Sequence, residues 1–292
     1  MKVSKKKIVR IIQSLTQKYF FNSFYKLVIF FRSFKNFQKK INAKKSFIKF
    51  SKTKDLINDY EYKVTSQNNE DGIISHIFNK IPNNKTFIEL GFSFSEFNSL
   101  NLIRKKWEGK LIDYNIEEVV SLKMNLFFFF RNSKINIVNA KIFKENINDL
   151  IGNDLKTEID FFSIDIDGND YWILKQIDIS NIKLICLEYN HWLGQKNIVM
   201  KYDKNFVFKD DGIFGASLLA YTALLKKKNF SLIAVESSGT NAFYINNKYA
   251  NLFKILSPFE SFKSIGRFYS EEKKNKIYLN ISKSDKFITD EV

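Results

Sequence analysis

The chain is predicted to be an α/β protein whose doubly wound, mostly parallel sheet of seven strands ends in an antiparallel hairpin. Strand signals and helical periodicity alternate from residue 86 onward, the pattern of a parallel sheet covered on both faces. Five such strand–helix units follow one another. The last two strands are joined only by Ser237–Thr240, too short a link for a crossover, so they must run antiparallel.

The elements are read in order. Strand 1 is Thr86–Gly91, followed by a helix over Glu96–Lys106. Strand 2 is Lys110–Asp113, with a helix over Glu117–Phe130. Strand 3, Lys134–Asn139, leads to a short helix near Glu145–Ile151. Strand 4, Ile159–Asp165, precedes a helix over Asp170–Ile177, and strand 5 is Ile182–Tyr189. A loop of roughly twenty residues follows, longer than connections usually are and therefore expected to be functional. The helix Ile213–Lys228 then leads into strands Ser231–Glu236 and Asn241–Asn246.

Charge divides the chain into parts. Of its 47 Lys/Arg and 31 Asp/Glu, 16 basic and no acidic residues lie in positions 1–54. The rest holds 31 of each sign, so the whole net charge of +16 belongs to the first segment. Residues 1–60 are read as a basic, aromatic, helical N-terminal extension and 61–252 as the α/β domain. Residues 253–292 are read as a charged C-terminal extension, and 55–64 as a linker into the domain. A basic arm on a neutral domain calls for an anionic partner.

From Lys5 to about Lys40, apolar residues recur at three- and four-residue spacing with lysines and arginines between them: Ile8, Ile11, Ile12, Leu15, Tyr19, Phe20, Phe24, Leu27, Val28 and Phe31. That is the pattern of an interfacial helix, so residues 1–54 are expected to meet an anionic membrane surface. Packing on the chain's own domain is the bland alternative, and nucleic acid comes last. The apolar run Tyr19–Phe31 is too short and too interrupted to span a bilayer. No secretory signal is evident, so the expected location is cytoplasmic, peripheral on the inner membrane surface. Cys186 is the only cysteine, which excludes an internal disulfide or a cysteine-rich metal site.

Five segments carry a family likeness. They are Ser66-Gln67-Asn68-Asn69-Glu70-Asp71-Gly72; Phe161 to Tyr171, with Asp165-Ile166-Asp167-Gly168-Asn169-Asp170 at its centre; Leu187-Glu188-Tyr189-Asn190; Phe214-Gly215-Ala216-Ser217; and Ser237 to Phe243. In this order they resemble the motifs of FkbM-type methyltransferases and their uncharacterised relatives, over about residues 64–250. The resemblance implies the methyltransferase-type sheet and S-adenosylmethionine as methyl donor. It also implies transfer usually to oxygen, often on sugars or natural products.

Strand tips locate the site independently, because ligands of open α/β sheets bind beyond the carboxyl ends of the strands. Those ends carry Glu89 with Gly91, Asp113, Asp165 with Asp167, and Glu188 with Asn190. Any one acid there could instead cap a helix. Glu89, Gly91 and Asp113 are the expected cofactor residues, with Asp113 accepting from both ribose hydroxyls. Gln67 and Asp71 join them, with ordinary helix capping as the alternative for both. Methyl transfer to a hydroxyl needs a base. Asp165 and His191 compete for that role, and Asp167 and Glu188 stand beside them. Asn190, Gly215, Ser217 and Asn241 are expected to meet the acceptor, with Tyr202 and Asp203 as weaker candidates. Asp165, Asp167, Glu188 and Asn190 could also hold Mg²⁺, a cation that prefers oxygen ligands.

The loop Phe92-Ser93-Phe94-Ser95-Glu96 departs from the small, glycine-rich run expected after strand 1. Three readings follow. The first is an O-methyltransferase acting on a saccharide or glycolipid-type acceptor. The second is a binding protein of the same fold that no longer methylates. The third is a nucleic-acid methyltransferase, supported by the basic arm alone and opposed by the lack of an Asn-Pro-Pro-Tyr-like run.

Overall fold

Seven strands form one sheet: β1 (Thr86–Leu90), β2 (Glu108–Asp113), β3 (Ile135–Asn139), β4 (Ile159–Ile164), β5 (Ile182–Glu188), β7 (Phe230–Val235) and β8 (Asn241–Asn246). The computed structural model describes residue 23 and residues 25–46, 57–264 and 268–290. Strand order is β3-β2-β1-β4-β5-β8-β7, with only β8 antiparallel to its neighbours. This is the methyltransferase variant of the doubly wound sheet. The chain builds outward from β1 to β3, then returns to lay β4 on the other side of β1. That reversal opens a crevice at the carboxyl ends of β1 and β4.

Alternation along the strands divides the core. Phe161 of β4 packs on one face with Phe87, Leu111 and Leu184, while Phe162 packs on the other with Ile88, Ile112 and Ile185. All six β4 residues are buried, as expected of a central strand covered on both faces. Helices α2 (Glu70–Phe78), α3 (Leu100–Arg104) and α4 (Ile116–Phe129) cover the Phe161 face. Helices α5 (Ile147–Ile151), α6 (Asp170–Gln176) and α7 (Leu218–Lys227) cover the other.

Helix α1 (25–41) turns Ile29, Ser33 and Phe37 inward at four-residue spacing. Phe34 stacks on Phe129 of α4 at 5.1 Å, and Asn125 donates to the Ser33 hydroxyl at 2.8 Å. Over these residues the helix therefore packs on its own domain. The earlier part of the pattern, Ile8 to Phe20 and Phe24, lies outside the described residues. No helix among the described residues is long and apolar enough to cross a membrane.

Four expectations need correction. The segment read as a linker is part of the fold: 57–60 form a 3₁₀ turn, and Ile57, Asn58, Glu61 and Val64 are buried. The helix expected over Glu96–Lys106 is only Leu100–Arg104, because Glu89 captures the N–H groups of Asn98 and Ser99 and holds residues 91–98 as a loop. The helix expected from Ile213 starts at Leu218, where Ser217 caps it. The C-terminal segment is not a detached tail. After the short helix α8 (Pro258–Ser261), helix α9 (Glu271–Lys283) seats Ile277 against Trp192 and Phe214, and β9 (Phe287–Ile288) pairs with β6 (Val199–Met200). The long loop after β5 is thereby tied down from outside.

The tightest backbone approach lies at the crevice. Gly91 has a φ of +78°, and a Cβ there would sit 1.7 Å from the Asp165 carbonyl oxygen. A Gly91→Ala change must therefore push β1 and β4 apart, besides costing the left-handed conformation. Chemical denaturation should report a loss of about 3 kcal/mol or more. An unchanged midpoint would mean that the two strand ends can separate freely.

Candidate functional site

A cavity of about 620 Å³ opens at the carboxyl ends of β1, β2, β3 and β4, the place the strand order dictates. This is ample for a nucleoside-sized ligand. Six carboxylates line it: Glu89, Glu96, Asp113, Glu118, Asp165 and Asp167, with Lys141 the only lining cation among the described residues.

Three of the acids build the wall from the loop after β1. The buried Glu89 carboxylate accepts from the Asn98 and Ser99 N–H groups, both at 2.9 Å. Burial is the main cause that lifts its pKa to about 7, against these hydrogen bonds. Asp113 accepts from Phe92 N at 3.1 Å and from Asn115 N at 2.6 Å, one on each oxygen. Desolvation raises it as well. Glu118, in the first turn of α4, accepts from Phe94 N. Glu96 is paired with Lys40 at 2.9 Å and Lys63 at 2.7 Å. A loop without glycines beyond Gly91 is thus bound along its backbone by carboxylates. Phe92 and Phe97 both line the cavity. Phe92 is buried against Phe97, with ring centroids 5.7 Å apart.

At the end of β4, Asp165 and Asp167 line the cavity, whereas Glu188 at the end of β5 does not. Carboxylate oxygens of Asp165, Asp167 and Glu188 lie within 4.8 Å of one another. Desolvation first, then mutual repulsion, raises Asp165 and Glu188 well above the ordinary carboxylate range. The two carboxyls are hydrogen-bonded to each other, and the charge of either opposes ionisation of the other. Asp167, with a φ of +57°, lines the cavity beside Asp165. Its side chain is exposed to the cavity, yet enclosure by the surrounding protein lifts its pKa to about 6, assisted by Asp170 and Asp113. Asp170 itself accepts from the N–H groups of Ile166 and Gly168, and so shapes the turn that carries Asp167.

The other predicted residues divide by what their polar atoms already do. Gln67 and Asn241 line the cavity, and Asn241 donates to Glu70 at 2.8 Å. Asp71 lies behind the wall, where one oxygen accepts from the N–H groups of Val64, Thr65 and Ser66. Asn190 donates to the carbonyls of Gly212 and Phe214 and accepts from Trp192 N, so its amide is occupied in holding the long loop. Ser217 caps α7, and Gly215, with a φ of +50°, hydrogen-bonds its N–H to the Gly168 carbonyl. Neither lines the cavity. His191 is buried in a 3₁₀ turn against Trp192, away from the cavity lining, and burial depresses its pKa to about 4. Tyr202 hydrogen-bonds Glu145 on the surface, and the Asp203 backbone exchanges hydrogen bonds with the Asn169 side chain.

Several wall residues were missed by the sequence reading. Lys141 and Ile142 follow directly on β3, so the strand-tip rule applied to the third strand would have found them. Glu118 could have been sought as an acid in the first turn after a strand tip. Phe206, Val207 and Phe208 come from the long loop and carry no local signal; their position follows from the loop's contacts with α9 and β9.

No family model and no curated protein sequence matches the chain. Among solved structures, the N-terminal domain of EvdMO1 with SAH bound is similar at 12% identity and a TM-score of 0.40. That match covers 62% of this chain and 80% of that one. The O-methyltransferase from Bacillus cereus in complex with SAH is 15% identical with a TM-score of 0.36, over 55% and 72% of the two chains. A SAM-dependent methyltransferase from Aquifex aeolicus is 9% identical with a TM-score of 0.35, over 59% and 87%. At these scores the fold assignment rests on the strand order itself.

The raised acids set a pH dependence. Glu89 moves from an ordinary 4.5 to about 7 on folding, so the folded state binds the extra proton between those values. Its stabilising contribution is present below about pH 4.5 and is lost as pH rises through about 7. Asp167 acts in the same sense up to about 6. Thermal melts of the ligand-free protein should therefore weaken from pH 5 to about pH 8, while affinity for a cationic ligand rises over the same range. A melting point that climbs through this window would contradict the buried, protonated acids.

Proposed function

We propose that the protein is an S-adenosylmethionine-dependent methyltransferase that methylates a hydroxyl of a saccharide or glycolipid-type acceptor. The carrying observation is the acid-lined cavity at the switch point of a methyltransferase-type sheet. S-adenosylmethionine bears a sulfonium and an ammonium against one carboxylate, and when bound it supplies an electrophilic methyl group. Six carboxylates facing one lysine complement such a cation and repel the phosphates of a dinucleotide or a nucleic acid. The nucleic-acid reading therefore has only the basic arm in its favour.

The donor set fits the group. Each Asp113 oxygen accepts one backbone N–H and retains a second lone pair, so the carboxylate can still take a vicinal ribose diol. Ile112, Ala140 and Ile142 offer an apolar wall beside it for a purine. Glu89 and Gly91 hold the loop and the strand approach that leave this space open. Asp165 lines the cavity beside Asp167, where its carboxylate can orient an acceptor hydroxyl and receive its proton. His191 is the poorer base, because it is buried away from the cavity and its affinity for a proton is depressed. A binding protein that no longer methylates stays the alternative, since Phe92 is buried against Phe97 but still lines the cavity.

Mg²⁺ is a second use of the acids at the strand ends, with Asp165, Asp167 and Glu188 as its three oxygen ligands. Activity abolished by a chelator and restored by Mg²⁺ would make Asp165 a ligand instead of a base. A peripheral seat on an anionic membrane accords with a glycolipid-type acceptor.

Calorimetry with S-adenosylmethionine should give saturable binding, and Asp113→Ala should weaken it about tenfold or more, the scale of lost charge-assisted hydrogen bonds. Absence of saturation would return the protein to the binding-protein reading. Asp165→Asn should keep the fold and most of the cofactor affinity. It should lower turnover on a glycoside acceptor by about 10²–10⁴-fold. Normal turnover in that variant would place the chemistry on another strand.

A further inference from the structure

Helices α1 and α4 lie side by side and run in the same direction. Tyr25 donates to Glu117 at 2.8 Å near the start of both, and Asn125 reaches Ser33 eight residues further along each. Their inner faces are satisfied by packing, whereas their outer faces are apolar. Phe31 is 66% exposed and Phe127 68% exposed, with Leu27, Val28 and Phe128 exposed as well. The rings of Phe31, Phe30 and Phe128 are contiguous, with Phe31 5.7 Å from Phe30 and Phe30 6.1 Å from Phe128, and Phe127 extends the apolar surface of α4 toward Phe130. Exposed apolar residues scattered singly need no explanation, but a continuous patch across two helices does.

Cations surround the patch. Lys26, Arg32, Lys35 and Lys39 are exposed on α1, and Lys123 and Arg131 on α4, with Arg131 lying over the Phe127 ring at 5.7 Å. No Asp or Glu occurs in residues 1–54, the stretch that holds all of the chain's net charge. The two acids of α4 sit in its first turn and are engaged by Tyr25 and by Phe94 N.

We propose that the joined outer faces of α1 and α4 dock on an anionic lipid bilayer. Aromatic and aliphatic side chains flanked by lysine and arginine match an interface of apolar chains beneath anionic headgroups. A second copy of the chain would bring the same cations against these, and a nucleic acid would leave Leu27, Val28 and Phe31 unburied. The orientation has a consequence for the cavity. Tyr114, Asn115 and Glu118, at the start of α4, line the cavity, and Tyr114 and Ile116 are exposed at its rim. The docking face thus runs down from the rim for the length of α4, about 20 Å. A bilayer seated on it lies beside the mouth, where an acceptor anchored in the membrane would arrive. The docking itself is independent of methyl transfer.

Flotation of the full-length protein with phosphatidylcholine vesicles, with and without phosphatidylglycerol, tests the proposal. Binding is expected only with the anionic lipid. Phe31→Ser combined with Phe127→Ser, and separately Lys26→Gln, Arg32→Gln and Lys35→Gln together, should each lower vesicle affinity about tenfold or more. Melting points should be unchanged, since all of these side chains are exposed. Flotation that is absent, equal on neutral vesicles, or indifferent to the phenylalanine changes would overturn the proposal. So would a dimer, seen by light scattering, that the phenylalanine changes dissolve, because the face would then belong to a second copy.

Discussion

The constraint on which the site depends is that a buried carboxylate must find hydrogen-bond donors. Glu89 stands in the core at the end of β1 and takes the N–H groups of Asn98 and Ser99. Asp113 and Glu118 take those of Phe92 and Phe94. Together these acids determine the path of residues 91–99, shorten α3 and keep the cavity open beneath the loop. Glycine is needed at one point only, Gly91, where β1 and β4 come too close for a side chain. The remaining loop residues are held by their backbones, so their side chains are free to be large. That is how Phe92 occupies a position where a small residue was expected and packs into the core without closing the cavity.

Electrostatics follows from the same arrangement. Acids gathered at strand tips and enclosed by protein raise one another's pKa values, and a pair such as Asp165 and Glu188 cannot both ionise readily. Protonation relieves that repulsion. A cationic ligand can relieve it instead, which links occupancy, protonation and stability in one region.

The outer wall is built from far along the chain. The loop after β5 carries Phe206 and Phe208 to the cavity, and Asn190 and Asn169 secure it from within. From outside, α9 and β9 hold it through Ile277 and the β6–β9 pair. Asp290 adds a hydrogen bond from Tyr171 and an ion pair with Lys175. The charged C-terminal segment is therefore structural support for the site's far wall, a role invisible in its composition.

The sheet was legible because each of its strands is a local run of β-forming residues, and because a four-residue link admits only an antiparallel return. The strand-tip rule likewise brought Glu89, Gly91, Asp113, Asp165 and Asp167 to one rim, since position at a tip is a property of the strand itself. What a polar side chain does at that rim was decided elsewhere. Asn190, Ser217 and Asp71 share the motif segments with the cavity residues, yet their atoms are taken by backbone groups brought to them by folding. His191 has the right chemistry on paper, but the turn after β5 buries it against Trp192. The sequence by itself determined the order of elements, the charged arm and the acids at the strand ends. Only the tertiary structure decided which of those acids face open space, where the long loop lies and which face of α1 is left uncovered, because each depends on partners distant along the chain.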